Sequence, residues 1–228
     1  EERLYHARRA RRDIVHVNLC GGNDELIFDG RSFVVGACGE LVVQLPGFRE
    51  AMQVVDIDAP TATEVRDEQD RELLFDALIL GIRDFGLKNA IPHVYLGLSG
   101  GIDSSVVAVL AAEALGPAHV TGIAIPSRYT DPRSTKSART LADNLGIGFE
   151  VVELEPLHAA VESALGDLLR DGNTEGSPEV STAAENAQAR LRMLVLMAYV
   201  NRYGGMLLNT SNKTELALGY GTLHGDLA

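Results

Sequence analysis

A net charge of −12 on a chain of 228 residues argues against a broad nucleic-acid-binding surface, because such a surface requires a basic stripe. Apolar residues make up 46% of the chain and charged residues 23%, which is typical of a soluble globular protein, and no apolar run reaches the roughly 18 residues of a membrane span. Two cysteines, Cys20 and Cys38, are too few for a disulfide framework or a four-ligand zinc site, so we expect a protein of the reducing cytoplasm.

The first part of the chain is predicted to hold short strands, over residues 14–20, 25–30, 31–37 and 40–46. Asp29-Gly30 and Cys38-Gly39 lie between these strands, and Asp-Gly between apolar runs is a strong signal of a hairpin. The strands predict the edge of an antiparallel or mixed sheet that is too small to be independent. The polar segment 56–68, which contains a proline, predicts a linker to the rest of the chain.

Helices and strands alternate after this linker. Apolar residues at helical spacing predict helices over 71–86, 104–116, 134–146, 157–169 and 182–203, and a short helix from Lys213. Apolar runs between them predict strands over 93–98, 119–125, 149–154 and 205–210. Ser134 is predicted as the N-cap and Gly146 as the C-cap of the helix over 134–146. The alternation predicts an α/β fold, a Rossmann-like parallel sheet with helices on both faces.

The stretch LGLSGGIDSS, residues 96–105, follows the first strand of this predicted sheet. Ligands of open parallel sheets bind beyond the carboxyl ends of the strands, where Pro126–Arg128 and Thr210–Asn212 also lie. Glycines let backbone N–H groups face an anion closely, and the following helix adds its positive end. The stretch lacks both the lysine of a Walker A loop and the spacing G-x-G-x-x-G. It predicts a lysine-free cradle for a nucleotide whose pyrophosphate leaves.

Asp103 lies directly after these glycines, where a carboxylate could hold the Mg²⁺ that neutralises a leaving pyrophosphate. A plainer interpretation exists for each feature. The glycines would serve equally in a tight strand-to-helix turn, and Asp103 would serve as an ordinary acid in the first turn of a helix.

The motif SGGIDSS resembles the signature of the N-type ATP pyrophosphatases. Within that group, the stretches over 126–147, 185–204 and 207–226 resemble the glutamine-dependent NAD synthetases, and 21–33 resembles the end of the glutaminase domain of these enzymes. The resemblance covers nearly the whole chain. It implies that 1–62 is the C-terminal part of a nitrilase-like α/β sandwich. It implies that 63–228 is an ATP-pyrophosphatase domain with an adenine nucleotide alpha hydrolase-like fold, which we expect to be incomplete at its C-terminus.

The resemblance also implies a reaction in two steps. The nicotinate carboxylate of deamido-NAD attacks the α-phosphate of ATP, which gives an adenylated dinucleotide and releases pyrophosphate. Ammonia, supplied from glutamine, then displaces AMP and forms the amide of NAD. Mg²⁺ is the implied cofactor and ATP a substrate. A homo-oligomer is implied, with no nucleic-acid partner and no membrane.

Carried over residue by residue, the resemblance assigns ATP binding to Gly97, Leu98, Ser99, Gly100, Gly101, Ile102, Asp103, Ser104 and Thr210. It assigns catalysis and Mg²⁺ to Asp103 and Glu215. It assigns deamido-NAD to Asn186, Arg190, Glu215 and Asp226, of which Asn186 and Arg190 are four residues apart on one helix. The plainer interpretations are a helix start for Asn186, a surface ion pair for Arg190, a strand-forming residue for Thr210 and a turn residue for Asp226.

Several positions depart from the family pattern. Ser211 stands where a glycine is usual, and His224 stands where a tyrosine is expected. The first 62 residues contain no lysine, so the Glu–Lys–Cys triad of nitrilase-like amidases cannot be assembled there, and both cysteines are interpreted as structural. The apolar helix over 187–200 fits either a core helix or an oligomer interface.

Two other functions remain open at this stage. One is a different N-type ATP pyrophosphatase amidotransferase, such as a GMP-synthetase-like enzyme, although the stretch NKTELALGYGTLHGD weighs against it. The other is a nucleotide-binding module without turnover, although two acids, Asp103 and Glu215, at a phosphate-binding edge weigh against that.

Overall fold

The computed structural model describes residues 9–58, 70–169 and 182–227 and divides the chain into two compact units, Glu1–Asn89 and Ala90–Ala228. The domain boundary predicted between residues 62 and 63 lies outside the described residues, as does most of the predicted linker. No helix of the described residues is both long enough and apolar enough to cross a membrane.

The first unit contains two small antiparallel sheets and one helix. Strands β1 (Ile14–His16), β4 (Phe33–Val35) and β5 (Leu41–Gln44) form a sheet in the order β1-β4-β5. Strands β2 (Cys20–Asn23) and β3 (Leu26–Asp29) form a separate hairpin. Helix α1 (Asp70–Lys88) packs on this hairpin, where the N–H of Gly22 donates to Asp84 Oδ2 over 2.8 Å.

One of the two predicted hairpin turns in this unit is wrong. Asp29-Gly30 does not close a hairpin, because β3 and β4 belong to different sheets and the chain crosses from one to the other at this point. The hairpin of β2 and β3 closes instead at Asp24, whose φ of 52° is left-handed. The turn at Cys38-Gly39 is confirmed, since it joins the paired strands β4 and β5.

The second unit is built on a four-stranded parallel sheet, which confirms the predicted Rossmann-like α/β architecture. Its strands are β6 (Val94–Gly97), β7 (Val120–Ala124), β8 (Gly148–Val151) and β9 (Met206–Leu208), in the order β8-β7-β6-β9. Its helices are α2 (Ile102–Leu115), α3 (Pro132–Leu145), α4 (Glu155–Leu169), α5 (Thr182–Tyr203) and α6 (Lys213–Leu218), with a 3₁₀ turn at Pro117–His119. Val94 pairs with Val120 on one side and with Met206 on the other, so β6 is central.

Apolar side chains cover both faces of this sheet. Alternate residues of the central strand, Val94 and Leu96, are fully buried against alanines of α2 and α3. The residue between them, Tyr95, packs on the other face with Leu196 of α5. Strands that are buried on both faces read as continuous apolar runs, which is why the sequence predicts them well. The buried side of α5 is therefore a core face, although Leu194 on the same helix is 57% exposed.

The caps of helix α3 confirm one prediction and correct another. Gly146 is its left-handed C-cap, as predicted, with φ 69°. Ser134 is not the N-cap, because the helix begins two residues earlier at Pro132 and Asp131 Oδ1 accepts the N–H of Arg133 over 2.8 Å. Proline at the first helical position has a preset φ and no N–H to satisfy, so it starts the helix ahead of the predicted serine.

Candidate active-site cleft

A cleft of ≈ 970 Å³ lies at the carboxyl edge of the parallel sheet, where ligands of such sheets bind. Residues that follow three of the strands line it, together with one face of α5. The strand-end residues are Gly97, Leu98, Ser99, Ile125, Pro126, Thr130, Asn209 and Thr210. The α5 residues are Thr182, Glu185, Asn186, Ala189, Arg192, Met193 and Leu196.

Residues 97–104, the glycine loop, connect β6 to α2 and are held by their own hydroxyl groups. The N–H of Leu98 donates to Ile123 O over 2.9 Å, which anchors the start of the loop to β7. Ser104 is buried, and its Oγ lies 3.1 Å from Ser99 Oγ and donates to Gly101 O over 3.2 Å. The Ser104 hydroxyl therefore shapes the loop from inside, whereas Ser99 also reaches the wall of the cleft.

The backbone of the loop passes very close to the first turn of α3. Gly100 has a φ of 81°, and a Cβ at this position would lie 2.3 Å from Ser134 O, so only glycine fits. The next residue, Gly101, is the N-cap of α2, and no side chain caps this helix. Because the first N–H groups of a helix have no partner within the helix, this end of α2 is suited to an anion.

The predicted ATP-binding residues divide into two sets. Gly97, Leu98, Ser99 and Thr210 line the cleft, and Gly100, Gly101, Ile102, Asp103 and Ser104 do not. Asp103 is exposed on the first turn of α2. These placements bring the start of the loop and the end of β9 to one surface, and the roles of all these residues stay predictions.

The predicted dinucleotide-binding residues converge on residues 222–226, the 222–226 turn. Asn186 lines the cleft and accepts a hydrogen bond from Thr222 Oγ1 over 2.7 Å. Asp226 also lines the cleft, and its Oδ1 accepts the N–H of Thr222 over 2.8 Å. Arg190 does not line the cleft, and its Nε donates to Leu223 O over 3.2 Å. Asn186 and Arg190 thus hold the turn against α5, whereas Asp226 bonds within the turn.

Glu215 does not line the cleft and forms a capping box at the start of α6. Its Oε2 accepts the N–H of Asn212 over 3.0 Å, and its own N–H donates to Asn212 Oδ1 over 2.9 Å. Ser211, the residue that replaces the usual glycine, donates from Oγ to Asp226 O over 3.0 Å. The substitution thus adds a link between the end of β9 and the 222–226 turn.

The described residues contain no cluster of three or more His, Cys, Asp or Glu side chains that could hold a metal ion. The predicted metal pair, Asp103 and Glu215, offers two carboxylates from the first turns of two different helices. Any ion held by this pair would need further oxygen ligands, because Mg²⁺ takes six.

Sequence reasoning did not identify Arg192, which lines the cleft. Its Nε donates to Ile125 O and its Nη2 to Ser127 Oγ, both over 3.4 Å, and burial lowers the pKa of its guanidinium. The spacing of residues along α5 could have identified Arg192. The cleft residues of α5 recur at 182, 185, 186, 189, 192, 193 and 196, a helical face that includes Arg192 and excludes Arg190.

Comparison with known proteins identifies close relatives. Residues 74–228 match the family described as NAD synthase. The chain is 44% identical over 222 residues to the glutamine-dependent NAD(+) synthetase of Rhodobacter capsulatus, a match that covers 94% of this chain and 39% of that protein. It is 40% identical over 230 residues to the enzyme of the same name from Synechocystis sp., with 98% of this chain and 40% of that protein covered.

A solved structure extends the similarity to three dimensions. The glutamine-dependent NAD+ synthetase from Acinetobacter baumannii, in complex with ADP, matches with a TM-score of 0.89 and 33% sequence identity. The match covers 98% of this chain and 42% of that chain. The chain spans about two fifths of the length of the curated relatives that it matches.

Proposed function

The chain belongs to the NAD synthase family, and we propose that it carries out the ATP-dependent amidation of deamido-NAD to NAD, a ligase reaction that forms a carbon–nitrogen bond. The observation that carries this proposal is the cleft at the carboxyl edge of the parallel sheet, lined by the start of the SGGIDS loop. The ADP complex of a relative supports an adenine nucleotide as ligand, and the relatives' names support glutamine as the nitrogen source.

The proposed chemistry has two displacements. An oxygen of the nicotinate carboxylate attacks the α-phosphorus of ATP, and the bond to pyrophosphate breaks. Ammonia then attacks the activated carboxyl carbon, and the bond to AMP breaks as the amide forms and a proton is lost. Both steps need reactants held in line and negative charge neutralised, and neither needs a protein nucleophile. The glycine loop, which its own hydrogen bonds hold in place, and the uncapped start of α2 would supply these requirements.

Each candidate residue then has a role that its contacts allow. The uncapped start of α2 would hold the triphosphate, because the N–H groups of Leu98, Ser99 and Gly101 already donate within the protein, and Thr210 would contact the adenylate. Asn186 uses its carbonyl oxygen on Thr222, which leaves its amide N–H groups as donors to deamido-NAD. Asp226 would bind the same ligand, with Arg190 and Glu215 contributing from beside the cleft.

Mg²⁺ fits the donor set that this site offers. In nucleotide sites Mg²⁺ is usually bound by one or two carboxylates plus substrate phosphates rather than by a cage of protein ligands. Asp103 is exposed beside the loop, and Glu215 Oε1 lies outside the capping hydrogen bond that occupies Oε2. When bound, the ion would neutralise the charge of the leaving pyrophosphate.

We also propose that residues 1–62 belong to the end of a glutaminase domain and 63–228 to the synthetase domain. The start of the family match at residue 74 supports this, whereas the compact units divide later, at Asn89, so that helix α1 packs with the first unit. We propose that the enzyme acts in the cytoplasm as a homo-oligomer. Leu194 and Met197, exposed three residues apart on α5, are the apolar side chains we propose for assembly, and light scattering on the full-length protein tests the oligomeric state.

The test is NAD formation by the full-length protein from deamido-NAD and Mg-ATP, with ammonium or glutamine supplied. We expect equal amounts of NAD and pyrophosphate with either nitrogen source. Asp103→Asn should reduce both products, whereas Glu113→Gln, the same change of charge near the other end of α2, should not. If NAD forms with ammonium but not with glutamine, the proposal that glutamine supplies the ammonia is wrong. ATP binding without product would point to another acceptor, such as a GMP precursor, or to a module without turnover.

A further inference from the structure

The wall of the cleft carries more negative than positive side chains, although its proposed ligands are negatively charged nucleotides. Of the described residues that line it, the charged ones are Glu185, Asp226 and Arg192. ATP and deamido-NAD both carry phosphates that are ionised at neutral pH. A desolvated phosphate needs charged or N–H donors, and arginine is the side chain best suited to it. Among these lining residues Arg192 is the cation available for that purpose.

The hydrogen bonds of Arg192 leave its charge unneutralised. Its two bonds, to Ile125 O and Ser127 Oγ, are both 3.4 Å long, beyond the usual range for N–H donors. No carboxylate of the described residues forms an ion pair with it, whereas Arg128 pairs with Glu155 and Glu162. A partly buried cation without a counter-ion is unfavourable. The lowered pKa of the Arg192 guanidinium agrees with this desolvation.

The position of Arg192 also matches the glycine loop. Its contact with Ile125 O sets the guanidinium at the carboxyl end of β7. Strand β7 is hydrogen-bonded to β6, and the loop begins with Leu98 donating to Ile123 O on β7. The guanidinium thus lies at the end of β7, the loop begins at the end of the adjacent strand β6, and both border the same cleft.

We propose that Arg192 binds a phosphate group of the nucleotide held in the cleft, beside the start of the glycine loop that lines the same cleft. The inference rests on the proposed function, since it takes the substrates of that reaction as its ligands. The ATP phosphates and the pyrophosphate of deamido-NAD share the chemistry that a guanidinium fork recognises. Arg192 is thus a substrate-binding residue, placed at the end of β7 by its hydrogen bond to Ile125 O.

The experiment is isothermal titration calorimetry, which measures the affinity of the full-length protein and its variants for ADP and, separately, for deamido-NAD. Arg192→Gln removes the charge but keeps an N–H donor for Ile125 O, and Arg192→Lys keeps the charge. We expect Arg192→Gln to weaken the affinity for at least one ligand about 10- to 100-fold, as for loss of a charge-assisted bond, with Arg192→Lys between it and wild type. The ligand whose affinity falls more identifies the phosphate that Arg192 binds.

Two control variants separate binding of phosphate from support of the fold. Arg202→Gln makes the same change of charge at the exposed end of α5, and Ser127→Ala removes one contact of Arg192 without removing charge. Both should bind the ligands as wild type does. A loss in Ser127→Ala that equals the loss in Arg192→Gln would overturn the inference in favour of a purely structural role.

The remaining outcomes distinguish this inference from the proposed function. Unchanged affinity of Arg192→Gln for both ligands, with wild-type binding intact, overturns the inference alone. If Arg192→Gln does not fold, the Arg192→Lys variant decides: a reduced affinity for one ligand in a folded protein supports the inference, because lysine lacks the guanidinium fork, and unchanged affinity for both ligands overturns it. A wild-type protein that binds neither ligand overturns both the inference and the proposed function.

Discussion

Helices α2 and α3 both begin at the carboxyl edge of the parallel sheet, and their first turns are closed in different ways. Asp131 accepts the N–H of Arg133 at the start of α3, and Pro132 occupies the first helical position. Helix α2 begins after Gly101 with no side-chain cap. A glycine N-cap is only a few tenths of a kcal/mol less stabilising than an aspartate, so α2 lacks a small stabilisation that its neighbour has. The difference is what we expect if the proposed nucleotide, rather than a side chain, completes the start of α2.

The largest effect is expected at the contact between these two helix starts. Gly100→Ala adds a Cβ 2.3 Å from Ser134 O at a φ of 81°, so we expect destabilisation of about 3 kcal/mol or more. Gly146→Ala is the matched control, because Gly146 is also left-handed but has its nearest neighbour 3.9 Å away. It should lose about 1 to 2 kcal/mol. Urea denaturation measures both, and equal losses would contradict the steric explanation.

The next effect comes from giving α2 the cap that α3 has. Gly101→Asp is compatible with the φ of −82° at this position, and the neighbouring Ser99 Oγ, 3.2 Å from the new Cβ, must shift by a few tenths of an ångström. We expect a gain in stability of a few tenths of a kcal/mol. We expect ADP to bind about tenfold more weakly, because the new carboxylate stands where the phosphates would bind.

Gly101→Ala is the control for this change, since it adds a Cβ without a cap or a charge. Calorimetry measures the affinity for ADP, and urea denaturation measures the stability. Unchanged affinity in Gly101→Asp would show that the start of α2 does not face the phosphates, and the contrast between α2 and α3 would then have no bearing on the ligand.

A smaller effect is expected where a side-chain cap is complete. Asn212→Ala breaks the capping box of α6 and should lower the free energy of unfolding by about 1 kcal/mol, whereas Asn212→Ser should retain most of it. Thermal denaturation of the two variants measures the difference. Equal stabilities would mean that the short helix does not depend on its cap.

The smallest effect lies at the amino end of β6, at the opposite edge of the sheet from the cleft. Burial, with a smaller contribution from His119, lowers the pKa of His93, whose Nε2 lies 2.9 Å from Thr121 Oγ1. The folded state therefore binds the proton less readily than the unfolded chain. The stability contribution is fully present above the ordinary pKa of 6.5 and is lost as the pH falls below it.

Urea midpoints measured from about pH 7.5 to about pH 5.5 test this. His93→Gln should show a flatter decline than wild type, with the affinity for ADP unaltered. Identical slopes would exclude a role for His93 in the acid sensitivity of the protein.

The sequence predicts the second unit well because its signals are local. Its buried strands are continuous apolar runs and its helices are long. Gly146 directly follows a helical pattern, which is the usual position of a glycine C-cap. The first unit is predicted less well, because Asp29-Gly30 marks a turn without telling which strands pair across it. Pairing is a property of distant residues, and the two strands beside this turn join different sheets.

The candidate site shows the same limit. The glycine loop is contiguous, so its residues can be found together, and part of the loop lines the cleft. Arg190 and Arg192 are two residues apart on α5, and only the rotation of the helix against the sheet decides which of them lines the cleft. That rotation depends on packing around Leu196 and Tyr95, which no short motif encodes.

The central position of β6 has a consequence for how the protein is made. Its partner β7 follows closely along the chain, but its other partner, β9, joins only after helix α5, where Val94 meets Met206. Pairing strands that are so far apart in sequence has a higher entropic cost than pairing β6 with β7. Strand β9 is also synthesised after the other three strands of the sheet. Thr210 and the 222–226 turn come later still. A nucleotide bound in the cleft would therefore stabilise the part of the sheet that pairs last. Hydrogen exchange of the backbone amides should slow more in β9 than in β7 when the nucleotide binds.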